Sequence, residues 1–121
     1  MMHTDDSCAI THRGKRYHCN ISLAMNLIGG KWKGVILYYL RNQPKRFSEL
    51  RKNMPDITEM TLSLQLKQLE KDELITRTVK GDKPPVQVSY ALTNKGHLLS
   101  PILMSLCNWA EVINDENQKM P

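Results

Sequence analysis

The stretch FSELRKNMPDITEMTLSLQLKQLEK, residues 47–71, holds two helical segments separated by a proline-containing turn. In the first, Phe47 and Leu50 share a face, and Ser48 is the expected N-cap. Pro55 ends that segment, because proline has no amide to donate and disfavours helical geometry in the residue before it. After the turn MPDIT, Thr58 is the expected cap of a second helix spanning about residues 58–71. Ile57, Leu62, Leu66 and Leu69 fall on its inner face. Met60, Leu64 and Lys67 then point outward, with Thr61, Ser63 and Gln68 at the flanks. Two helices joined by a short turn, the second amphipathic, make a helix-turn-helix pattern.

Downstream, LITRTVK (74–80) and VQVSYALT (86–93) alternate apolar and polar residues as half-buried strands do, and GDKPP separates them. The expectation is a β-hairpin whose basic, proline-stiffened tip covers about residues 80–86. A helix-turn-helix followed directly by such a hairpin is the order of a winged helix, which places one helix in the DNA major groove and the wing on the backbone or in the minor groove. Thr93 then caps a last helix in TNKGHLLSPILMSLCNWAEVIN, in which Pro101 should kink the helix or limit its first turn. Its stripe of Leu99, Ile102, Leu103, Leu106, Trp109 and Ile113 either completes the core or buries against a second copy of the chain. A dimer would present two recognition helices and call for a pseudo-palindromic operator.

Upstream lies IGGKWKGVILYYL, residues 28–40, where two glycines precede a lysine. A phosphate-binding loop needs a glycine four residues before the Gly-Lys pair and a Ser or Thr after it. Met25 and Trp32 occupy those positions, so the nucleotide reading fails. The segment reads instead as a corner between two helices. The first carries Ile21, Leu23, Ala24, Leu27 and Ile28 and ends at Gly29 as a left-handed cap; the second buries Trp32, Val35, Ile36, Tyr39 and Leu40. Residues 1–18 are polar and aperiodic and read as a flexible arm, 19–115 as one winged-helix and dimerisation domain, and 116–121 as a flexible tail. The fold class is α+β, mainly α.

Composition narrows the function. The chain has 121 residues, of which 40% are apolar, enough for one ordinary core. Seventeen Lys and Arg against twelve Asp and Glu give a net charge of +5, which favours polyanionic partners. No apolar run reaches the ~18–20 residues of a membrane span, and the N-terminus lacks the apolar centre of a signal peptide, so a cytoplasmic protein without membrane contact is expected. Cys8, Cys19 and Cys107 are an odd number at wide spacing, unlike a disulfide framework. His3, Cys8, His12, His18 and Cys19 match no closed zinc pattern. No catalytic constellation or cofactor motif emerges, and the sequence does not reveal a small-molecule effector; Glu49 and Glu70 read as helix-surface residues, and Asp72 and Glu73 as the polar end of the recognition helix.

Double-stranded DNA is therefore the expected partner. Phosphate contacts are assigned to Lys45, Arg46 and Ser48 before and within the first helix of the motif, and to Arg77, Lys80 and Lys83 on the hairpin. On the recognition helix, Met60 and Leu64 can meet thymine methyls, and Gln65, Lys67 and Gln68 can hydrogen-bond base edges or phosphates, with Thr58, Thr61 and Ser63 beside them. Leu64 packing against a neighbouring helix is the other reading. A winged-helix module that binds a protein partner through Met60 and Leu64 is the alternative function.

CNISLAMNLIGGKWKGVILYYL (19–40), KRFSELRKNMPDITEMTLSLQLKQLEKDELITR (45–77), PPVQVSYALTNKG (84–96) and Trp109 together resemble the HxlR-type winged-helix transcription regulators, relatives of the MarR group. The likeness runs in order over about residues 19–113. It implies a homodimeric, sequence-specific DNA-binding regulator of bacterial type. In that family some members sense oxidants or electrophiles through a cysteine just before the first helix, the position of Cys19. His18, Arg16 and the adjacent helix start would favour its thiolate, whereas many cysteines are simply small buried residues. Asn20 stands where the family usually carries proline.

Overall fold

The computed structural model describes residues 9–119, which form the elements β1 (Ile10–His12), β2 (Lys15–Tyr17), α1 (Asn20–Ile28), α2 (Lys33–Leu40), β3 (Lys45–Arg46), α3 (Phe47–Asn53), α4 (Glu59–Lys71), β4 (Ile75–Lys80), β5 (Gln87–Leu92) and α5 (Asn94–Lys119). Strands β3, β5 and β4 make an antiparallel sheet in that order, and β1 pairs only with β2. This is the winged helix expected from the sequence: α3 and α4 are the helix-turn-helix, and β4–β5 is the wing.

The core gathers the inner faces of these elements. Ile36, Leu37 and Leu40 of α2 meet Leu50 of α3, Leu62, Leu66 and Leu69 of α4, and Ile75 and Leu92 of the wing strands, with Met54, Ile57 and Leu74 closing the turns. Among the described residues no polar or charged side chain is buried, so burial of aliphatic surface is the main source of stability. The inner face proposed for α4 is the buried one. On α2 the register differs by a small rotation: Leu37 is fully buried, Val35 is exposed, and Trp32 and Tyr39 pack at the core's edge.

Several local expectations are corrected. Residues 10–17, read as part of a flexible arm, form a hairpin with Ile10 opposite Tyr17 and His12 opposite Lys15. Its turn uses Arg13 at φ 51° and Gly14 at φ 82°, both left-handed, a pairing that alternation of apolar residues does not signal. Helix α3 is capped by Arg46, not Ser48: the Arg46 backbone N–H donates to Glu49 Oε1 at 2.8 Å, and Ser48 lies inside the first turn. The left-handed glycine at the α1–α2 corner is Gly30 (φ 82°); Gly29 has φ −74°. Gly29 is required for space, since a Cβ there would lie 2.1 Å from the Met25 carbonyl oxygen. Strand β3 was not anticipated, being only two residues long. Helix α5 passes through Pro101 and continues to Lys119, into the expected tail.

Thr93 caps α5 as expected. Its hydroxyl accepts from the Gly96 N–H at 3.1 Å and donates to the Glu73 carbonyl at 2.7 Å, joining the turn between α4 and β4 to the start of α5.

Candidate nucleic-acid interface

The turn between α3 and α4 is held by a residue the sequence did not single out. Arg51 Nη2 donates to the Ile57 carbonyl at 3.1 Å, and Nη1 pairs with Glu59 Oε1 at 3.1 Å. One guanidinium thus ties α3 to the first turn of α4 and fixes the angle between them. Thr58 caps α4 by accepting from the Thr61 N–H at 3.1 Å, while the two hydroxyls bond each other at 2.9 Å. Those hydroxyls, counted among the DNA-contact candidates, already serve the cap.

With the helix so oriented, Met60 is 83% exposed and Leu64 52% exposed. Ser63, Lys67 and Gln68 are also exposed, and Thr61 and Gln65 are half-buried. Leu64 therefore stands on the outward face and is not packed into the core. Arg46 and Ser48 are exposed at the start of α3, with Lys45 half-buried beside them. Arg77, Lys80 and Lys83 are exposed along the wing, whose tip begins at Gly81, at φ 109°.

The register of the sheet aligns residues far apart in sequence. Lys45, Tyr90 and Arg77 stand directly opposite one another across β3, β5 and β4, and Arg46, Ser89 and Thr78 form the next row. Opposed residues project from the same face, so Arg77 and Tyr90 share a side of the sheet. That side turns toward α4, where Ser63, Leu66, Lys67 and Glu70 complete a cleft of about 350 Å³ with Arg77 and Tyr90. Helix and wing residues nominated separately from the sequence thus meet at one surface. Tyr90 was missed: pairing the two strands symmetrically about GDKPP sets Arg77 opposite Ser89, one residue away from the register found, in which Lys80 pairs with Gln87 and Arg77 with Tyr90.

The remaining candidates lie elsewhere. Cys19 is the N-cap of α1, half-buried, with no side-chain capping bond. Cys107 is exposed on α5, and Cys8 lies outside the described residues. No group of three or more potential metal-ligating side chains occurs among the described residues, and His3 lies outside them. No helix of the described chain is long and apolar enough to cross a membrane. On α5, Leu103 is buried in the core of its own chain and Leu99 packs against that core, so this part of the stripe completes the core. Ile102, Leu106, Trp109 and Ile113 face outward, joined by Leu98 and Val112.

Comparison with known proteins places this architecture. The family description "HxlR-like helix-turn-helix" matches residues 27–118. The uncharacterised HTH-type transcriptional regulator YdeP of Bacillus subtilis (strain 168) is 42% identical over 102 residues, covering 84% of this chain and 79% of YdeP. Among solved structures, the redox regulator HypR in its reduced form superposes with a TM-score of 0.78 at 37% identity, covering 84% of this chain and 99% of HypR. The reduced form of the transcriptional regulator YodB from B. subtilis superposes with a TM-score of 0.67 at 36% identity, covering 76% and 89% of the two chains. The chain belongs to the HxlR-like helix-turn-helix family and is a transcriptional regulator of the helix-turn-helix type.

Proposed function

We propose that the protein is a homodimeric, sequence-specific regulator that binds a pseudo-palindromic DNA operator. Helix α4 enters the major groove, and the wing tip, about residues 80–86, lies on the backbone or in the minor groove. The observation that carries this reading is the convergence of α4 and the basic wing on one surface, where Lys67 and Arg77 line a common cleft. Arg46, Lys80 and Lys83 add positive charge on the elements flanking it. The outward apolar face of α5 supplies the dimer contact through Ile102, Leu106, Trp109 and Ile113.

Cys19 acts in this reading as a thiol sensor of oxidants or electrophiles. Support comes from its place at the N-terminus of α1 and from the similarity to HypR, a redox regulator, and to YodB, which has been obtained quinone-bound and diamide-treated. If full loss of DNA binding after diamide left Cys19 unmodified by mass spectrometry, the sensor role would be rejected.

Selection of bound sequences from a random duplex library at about 150 mM salt, where non-specific binding is weak, tests the main proposal. A two-fold related motif is the expected result. A folded dimer that enriches no motif would favour the second reading, a module that docks a protein through the exposed Met60 and Leu64.

A further inference from the structure

The cleft between α4 and the base of the wing is lined, beside Lys67 and Arg77, by Tyr90, a side chain that a groove-reading helix and a wing tip leave unused. Tyr90 lies on the central strand β5, its ring packed against the core and its side chain lining the cleft. Arg77 stands opposite it on β4, and Lys67 approaches from α4. Among the described residues, neither cation nor the Tyr90 hydroxyl takes part in an ion pair or a side-chain hydrogen bond. Three side chains able to donate, one each from α4, β4 and β5, therefore line one small space with no partner of their own.

We infer that this cleft seats a single backbone phosphate of duplex DNA: Lys67 and Arg77 supply the charge, and the Tyr90 hydroxyl donates a hydrogen bond to a phosphate oxygen. The inference rests on the DNA-binding reading above and adds Tyr90 as a residue that contacts the phosphate. A base edge offers coplanar groups and is met by side chains that protrude from a helix, as the exposed Met60 and Leu64 do. A phosphate is tetrahedral and accepts donors from several directions, which suits a recess with one cation from a helix and another from a strand. Because the donors belong to both α4 and the sheet, a phosphate held here locks helix and wing to the same point of the DNA backbone. Glu70 also lines the cleft and opposes an anion, so it tunes the seat downward.

The test uses the full-length protein and a labelled duplex of about 30 bp with a fixed mixed sequence, titrated by fluorescence anisotropy over a salt series. Tyr90→Phe keeps the ring and its packing; it should weaken binding about tenfold, with the salt slope and the thermal midpoint unchanged. The Lys67→Gln, Arg77→Gln double variant should lower the slope by about one in total, the signature of one shared phosphate. Glu70→Gln should bind about threefold more tightly as a repulsive charge is lost. Wild-type affinity in Tyr90→Phe, a slope change of about two or of zero in the double variant, or no tightening in Glu70→Gln overturns the shared seat while leaving DNA binding intact. Absence of duplex binding by the wild type at every salt concentration overturns the DNA reading and the seat with it.

Discussion

The Arg13 guanidinium donates from Nη1 to the backbone carbonyl of Lys71, the last residue of α4, at 2.8 Å. The same nitrogen lies 3.5 Å from Glu73 Oε1. A cation at a helix C-terminus satisfies an orphan carbonyl and complements the helix dipole, so the turn of the N-terminal hairpin braces the far end of the recognition helix. Both side chains are substantially exposed, at 44% and 65%, which limits the strength of the pair. Arg13→Ala should cost under about 1 kcal/mol of global stability yet speed amide exchange in the last turn of α4. Unchanged exchange there would show that the hairpin does not brace the helix.

Gly96 is buried where α5 crosses the start of β4, and a Cβ would fall 2.3 Å from the Leu74 carbonyl oxygen. Gly96→Ala must push α5 away from the sheet and should cost about 1–3 kcal/mol, the usual range for overpacking. Thr93→Ala, which removes the hydroxyl bonded to both Gly96 and Glu73, should cost about 1–2 kcal/mol. Denaturant unfolding measures both.

Two aromatic and aliphatic residues on α5 should part company in experiment. Leu103 is 7% exposed, so Leu103→Ala should destabilise the fold by about 2–4 kcal/mol. Trp109 is 65% exposed; Trp109→Ala should leave the fold of a single chain intact and weaken the dimer. Sedimentation across a concentration series, beside thermal unfolding, separates these effects.

Lys83 lies exposed at the wing tip, away from the core. Lys83→Ala should weaken binding to all duplex sequences alike and lower the salt slope by about one. A loss confined to the specific operator would instead assign Lys83 to base readout.

What could be read from the amino-acid sequence was whatever is encoded within a single element. The inner face of α4 follows from the spacing of Leu62, Leu66 and Leu69, its start from Thr58, and the wing from alternation on either side of GDKPP. Periodicity and capping are local, because a helix or a tight hairpin satisfies its hydrogen bonds from its own neighbourhood. Tertiary structure alone decided the pairings between elements: Arg13 on Lys71, Arg51 on Ile57 and Glu59, and Lys45 in line with Tyr90 and Arg77. It also divided the α5 stripe, sending Leu103 inward and Trp109 outward. A stripe wide enough to touch two surfaces contains no information about which residue meets which. Only the packing of α5 against α2 and the sheet resolves it, since burial is decided by the partner surface as well as by the side chain.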